Sequence, residues 1–195
     1  MNKLLIILLH LITPCAFADS FTAPTTQTVS SPKGEFLLRS LPPLRLEGDK
    51  WSEMIFIVYR LEEATQDYRE ISRFPIDSHP DDFFINDTGD RIVIFGRAPG
   101  PRVVAVYDAR GRELKKWDLK DFYDKKKIDK LPETTTLVLW RGKTGWMPYQ
   151  NGILISKPEL HGESNADLDD YLLDLKLLKI TKRAPVLLNL DSSKK

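Results

Sequence analysis

The sequence predicts an all-β fold, an antiparallel meander with one short helix near residues 119–130. Three observations carry that expectation. Short runs rich in β-branched and aromatic residues recur at 54–59, 68–76, 91–95 and 103–107; such residues fit a pleated, half-buried surface. Two glycine-bearing clusters, Asn86-Asp87-Thr88-Gly89-Asp90 and Asp108-Ala109-Arg110-Gly111, fall between the runs where hairpin turns belong. Glycine takes φ > 0 without a Cβ clash, and Asn and Asp bond their own backbone. With 42% hydrophobic and 10% aromatic residues among 195, the chain can bury a core for one domain.

Taken in order, the first element stands outside that core. Met1-Asn2-Lys3 precedes an apolar stretch over 4–12 whose single polar residue is His10. Its length suits the roughly 7–15 residues of a secretory signal core and falls short of the about 20 a membrane-spanning helix needs. Pro14 breaks the segment, and Ala16-Phe17-Ala18 offers the small residues that signal peptidase reads. Residues 1–18 are therefore expected to be a signal peptide cleaved near Ala18. The processed chain would be periplasmic or secreted, without stable membrane insertion. Cys15 follows Pro14 rather than the small residue that precedes a lipidated cysteine. It is also the one cysteine, so no disulfide is expected after cleavage. Residues 19–34, rich in Thr, Ser and Pro, read as a disordered leader, 35–188 as a single β domain, and 189–195 as a polar tail.

Within the domain, 54–59 and 68–76 are the first strands. Residues 83–85 lead into the first glycine turn and 91–95 leave it; 103–107 run into the second and 113–119 return. Leu119, Phe122, Tyr123 and Ile128 share a helical face over 119–130, which ends before Pro132. Later strands are expected at 135–141, 152–156 and 171–180, the last punctuated by Asp174. A helix over 165–178 competes there, because Leu168, Tyr171, Leu172, Leu175 and Leu178 follow helical spacing and Asn165 could cap it; alternation of Leu173, Leu175 and Leu177 favours strand.

Several pieces together resemble a known pattern. Tyr59-Arg60-Leu61, the turn at 86–91, Tyr107 to Gly111, Leu119-Lys120-Asp121 and Trp140-Arg141 resemble a loose family of exported bacterial proteins of unknown function with β-propeller-like, WD40-like blades. The resemblance covers about 51–141 and implies a fold, a partial β-propeller-like array, rather than an activity. Trp117-Asp118 matches the dipeptide of WD40 blades, but the Gly-His pair expected earlier in such a repeat is missing. A two-sheet sandwich therefore stays open beside the partial propeller.

Charge narrows the partners. The chain carries 29 basic and 28 acidic residues, and Lys3 is the one charge within 1–18, so the processed protein is neutral. Nucleic-acid binding depends on clustered cations neutralising phosphates, and is not expected. Catalytic signatures are sparse. Only His79 and His161 lie beyond the signal segment, no Cys remains there, and no Gly-x-Ser-x-Gly occurs. Both histidines read as solvated loop residues. Gly142-Lys143-Thr144 resembles the end of a P-loop, but Leu137 stands where its first glycine belongs. Asp81, Asp82, Asp87 and Asp90, and later Asp167, Asp169 and Asp170, cluster without the spacing of a calcium loop; turn chemistry alone accounts for Asn86 to Asp90. No cofactor or metal is implied.

One patch is left, with Trp140, Arg141, Lys143, Trp146 and Tyr149 around Gly142 and Gly145. Aromatics beside cations make recognition surfaces, because they join large apolar area to a polar handle. The same residues could equally be core or cross-strand pairs about a glycine turn. The expected function is a non-enzymatic, exported β domain that binds a protein partner. Carbohydrate or cell-wall recognition through the aromatic loop is the alternative, and a carboxylate-dependent hydrolase a remote third.

Overall fold

The computed structural model describes residues 25–47, 52–77, 80–96, 102–131, 133, 138–147, 151–158 and 168–183. Among them, twelve strands form three antiparallel sheets of four, each a meander of consecutive strands. Sheet 1 holds β1 (Gln27–Ser30), β2 (Phe36–Leu41), β3 (Met54–Glu62) and β4 (Asp67–Ile76). Sheet 2 holds β5 (Asp82–Ile85), β6 (Ile92–Phe95), β7 (Val104–Tyr107) and β8 (Glu113–Trp117). After a 3-10 turn at Leu119–Asp121 and a single helical turn, α1 (Lys125–Ile128), sheet 3 follows as β9 (Thr144–Met147), β10 (Gly152–Ile155), β11 (Asp170–Asp174) and β12 (Lys179–Arg183). The fold is all-β with one short helix in the expected region, built from three sheets rather than two.

Sheet 2 lies between the other two, and its sequence explains why. Every residue of β6 and β7 is buried. Side chains alternate across a strand, so one set of each run points to each face. Ile92, Ile94, Ala105 and Tyr107 pack with Phe36, Leu38, Phe56, Val58 and Phe74 of sheet 1. Val93, Phe95, Val104 and Val106 pack with Ile153, Ile155, Tyr171 and Leu173 of sheet 3. A continuous apolar run is what a strand covered on both faces requires.

The first strands of the meanders lie near one another. β1 and β2 rest against β5, and β5 meets β9 where Thr144 Oγ1 donates to Asp82 Oδ2 at 2.5 Å and Phe84 meets Trp146 edge-on. The two hairpin turns of sheet 2 take part in its contact with sheet 1. Gly89 and Gly111 have φ of 68° and 81°. A Cβ on Gly89 would sit 2.3 Å from the Phe36 ring, and one on Gly111 would sit 2.4 Å from the Phe74 ring.

Three differences from the sequence reading have local causes, and so has the expected break at Asp174. β1 forms inside the expected disordered leader, because Val29 packs on the core and Ser31, 1% exposed, accepts from the Phe36 N–H at 3.1 Å. The helix at 119–130 divides. Phe122 and Tyr123 turn into the core between its two short pieces, and Asp124 caps α1 by accepting from the Lys127 N–H at 3.0 Å. The strand expected at 135–141 does not form over its described part. Residues 134–137 lie outside the described residues, Val138 makes only an isolated bridge to Glu133, and the Trp140 carbonyl accepts from Tyr123 Oη at 3.0 Å instead of joining a ladder. The run at 171–180 is strand, turn, strand. Asp174 Oδ1 accepts from the N–H groups of Lys176 and Leu177, each at 2.8 Å, and reverses the chain.

The hairpin glycines give a stability prediction. Gly111→Ala combines left-handed backbone cost of about 1–2 kcal/mol with overpacking of about 1–3 kcal/mol. Gly34, at φ 76° with nothing within 4 Å of its would-be Cβ, supplies the control. Urea denaturation should show Gly111→Ala losing clearly more stability than Gly34→Ala, whose loss is limited to about 1–2 kcal/mol. Equal losses would show that the turn does not press on Phe74.

Candidate functional site

The aromatic patch sits in the seam between sheets 2 and 3. Trp140 is 3% exposed. Its Nε1–H donates to the Gly96 carbonyl at 3.3 Å, and its ring lies 5.0 Å from that of Phe122. Arg141 places its guanidinium 5.0 Å over the Phe95 ring and 5.8 Å from the Trp140 ring, and Nη1 donates to the Gly142 carbonyl at 3.3 Å. Burial lowers its pKa below the ordinary guanidinium value, while Asp82 and Asp81 act the other way. Trp146 is half-buried on β9, opposite Ile153 and edge-on to Phe84 at 5.9 Å. Lys143 is exposed, and its carbonyl accepts from the Ser156 N–H at 2.9 Å. Tyr149 lies outside the described residues.

The structure thus brings Trp140, Arg141 and Trp146 together as packing between two sheets. Sugar stacking needs an open aromatic face, and Trp140 offers none. Gly142 lies against the continuation of β10 within sheet 3: its N–H donates to the Ser156 carbonyl at 2.8 Å, and a Cβ there would come within 2.5 Å of the Lys157 carbonyl oxygen.

Side-chain chemistry elsewhere is also engaged in holding the fold. Asn86 Nδ2 donates to Thr88 Oγ1 at 2.8 Å and to Asp90 Oδ1 at 2.9 Å, and Asn86 Oδ1 accepts from the Arg91 N–H at 3.0 Å. Burial raises the Asp90 carboxyl, but the bonds from Thr88 and Asn86, with Arg91 beside it, hold it below its ordinary value. Asp87 Oδ1 accepts from the Lys33 N–H at 2.7 Å, binding this turn to sheet 1. Asp169 takes Lys127 at 3.3 Å and Lys182 at 2.8 Å, and Asp170 Oδ1 accepts from the Lys157 N–H at 3.0 Å. Among the described residues no three His, Cys, Asp or Glu side chains converge on a metal position, and no helix is long and apolar enough to cross a membrane. His79, His161 and Asp167 lie outside the described residues.

A different feature escaped the sequence reading. At the β3–β4 hairpin, Glu35, Arg60, Leu61, Glu62, Glu63, Arg69, Glu70 and Ile71 line an open groove of about 740 Å3. Ile71 is 49% exposed and the neighbouring Tyr68 39%. The register between β3 and β4 shifts at Val58/Tyr59, so Ile71 is the extra residue of a bulge and leaves the alternation that would bury it. Glu62 pairs with Arg69 at 3.2 Å and Glu70 with Arg73 at 2.9 Å. Glu35 and Glu63 form no ion pair with another described residue. The one signal in the sequence was Ile71 standing out of step with Phe74 and Ile76. Compared with known proteins, the chain matches no family model and no curated protein.

The seam carries a pH prediction. Tyr171 Oη donates to the Phe122 carbonyl, and burial, with Asp169 and Asp124 adding, raises its hydroxyl to about 12. Tyr123 is pushed up as well, first by burial and then by Tyr171. An unfolded phenol titrates near 10, so the folded chain holds these protons more tightly. Their contribution is complete below about pH 10 and is lost as pH climbs from about 10 to about 12. Tyr171→Phe strands the Phe122 carbonyl, which should cost about 1–3 kcal/mol at neutral pH and make the loss above pH 10 shallower. Urea midpoints across that range check both; an alkaline limb as steep as wild type would remove Tyr171 from the account.

Proposed function

We propose that the protein is an exported, non-enzymatic β module of blade-like meanders that binds another protein through the groove at the β3–β4 hairpin. The observation that carries this reading is an exposed apolar residue, Ile71, lining the groove with Leu61 and rimmed by charge. Interfaces that bind proteins pair an apolar centre with a polar rim. Four glutamates face two arginines in the lining, and two of the four, Glu35 and Glu63, have no cationic partner among the described residues. The matching partner presents an apolar side chain flanked by Lys or Arg.

Export rests on the signal-type segment at 1–18. The blade-like reading is supported by three consecutive meanders whose first strands lie together. The low exposure of Trp140 speaks against glycan recognition through the aromatic loop.

Protein capture from a periplasmic or culture-medium fraction tests the proposal. Wild type should retain a specific protein, and Ile71→Asp and Glu63→Lys should each reduce its capture at least tenfold, roughly the 1.4 kcal/mol equivalent, with circular dichroism unchanged. Both substitutions fall at the surface. Capture indifferent to both, or retention of cell-wall glycan instead, would refute the groove as the binding site.

A further inference from the structure

Sheet 2 has both faces covered, whereas sheets 1 and 3 each use one face against it. The other faces are not built as solvent-facing surfaces. On sheet 1, Leu37 pairs with Tyr59, Arg39 with Ile57 and Leu41 with Ile55. Cross-strand partners share a face, and this is the side away from Leu38, Phe56 and Val58. Leu37, Leu41, Ile55 and Tyr59 are half-buried there, and Ile57 is 2% exposed. The register sets Arg39 and Arg73 on either side of Ile57, where long arginine stems can lie over apolar surface. A solvated face of an antiparallel sheet normally alternates to polar residues.

The outer face of sheet 3 is of the matching kind. Gly145, Leu154, Leu172 and Thr181 form one cross-strand row across all four strands. Leu154 and Leu172 are half-buried, and a Cβ on Gly145 would meet nothing within 4 Å. Asp170 and Asp174 flank Leu172 on that face. Asp170 Oδ1 accepts from the Lys157 N–H and Asp174 Oδ1 from those of Lys176 and Leu177, and neither forms an ion pair with another described residue. Lys179 and Arg183 lie on the same face at the β12 edge. On sheet 1, Arg73 is held by Glu70, while Arg39 has no carboxylate partner among the described residues.

We propose that the protein associates head-to-tail with a second copy of itself, the outer face of sheet 1 in one copy packing on the outer face of sheet 3 in the other. This contact repeats between copies the sheet-on-sheet stacking already present within the chain. It brings the half-buried Leu37, Ile55 and Tyr59 against Leu154 and Leu172, and Arg39, which has no carboxylate partner among the described residues, toward Asp170 and Asp174. The surfaces differ, so the contact is heterologous, and a ring or a short chain of copies follows from it.

Sedimentation equilibrium of the processed protein tests the assembly. Wild type should sediment as more than one chain. Arg39→Glu spoils only the sheet 1 face and Leu172→Glu only the sheet 3 face, so each should weaken association at least tenfold by itself. Mixing the two variants should restore a heterodimer, because one intact pair of faces remains. Gly145→Lys replaces Leu172→Glu if the latter fails to fold, since the space beside Gly145 is open. A single-chain mass for wild type, undiminished assembly of either variant, or no recovery on mixing would each overturn the proposal. Loss of partner capture by Ile71→Asp with the assembly intact keeps the groove and the stacking separately testable.

Discussion

Everything in the structure depends on two strands at its centre that have no solvent side. Ile92 to Phe95 and Val104 to Tyr107 are buried at every residue, and alternation sends their side chains to two separate cores. Fully burying a large apolar side chain is worth about 1.5–3 kcal/mol. A register slip of one residue would exchange the two sets completely. Since Phe95 faces one core and Ala105 the other, such a slip would put volume where there is no room. The pairing Ile94↔Ala105 and Phe95↔Val104 is therefore fixed by both neighbours at once.

The contacts that flank this centre follow from what it leaves unfilled. At the sheet 1 side, hairpin backbone completes the interface, with Gly89 on Phe36 and Gly111 on Phe74. At the sheet 3 side, connecting segments do the filling. Phe122, Tyr123 and Trp140 enter the core from chain that is neither long helix nor strand; Trp140 Nε1 donates to the Gly96 carbonyl and Tyr123 Oη to the Trp140 carbonyl, while the Phe122 carbonyl accepts from Tyr171 Oη. Arg141 closes the seam by lying over Phe95. A cation on an aromatic face at a sheet boundary satisfies packing and electrostatics together.

How much of this was legible in the sequence depends on the kind of signal. The hairpins at 86–90 and 108–111 were readable because glycine and Asx residues have local preferences that tertiary context did not need to override. The strands they join were readable from β-branched composition alone. Strand β1 was not, because its polar residues reveal nothing until Val29 pairs with Leu38 and packs on the core, and the neighbouring Ser31 bonds Phe36. Trp140 and Arg141 were conspicuous by type, but the same pair serves a surface or a core; only the position of Phe95 and Phe122 decides between them. The groove was hidden for the opposite reason. Its residues are ordinary, and a single bulge at Val58/Tyr59 turns Ile71 outward.

That bulge also bears on the recognition proposed for the hairpin. β4, with ten residues, is the longest strand described and lies at the edge of its sheet. An unprotected edge of this length would invite another strand to add to it. Here Glu62–Arg69 and Glu70–Arg73 place charge along the edge, Pro75 removes a backbone donor from it, and the bulge interrupts the ladder. Backbone pairing with a partner is thereby discouraged along the strand. Under the proposed reading selectivity rests on side chains, and at the hairpin end those include Ile71, Leu61, and Glu35 and Glu63, which form no ion pair with another described residue.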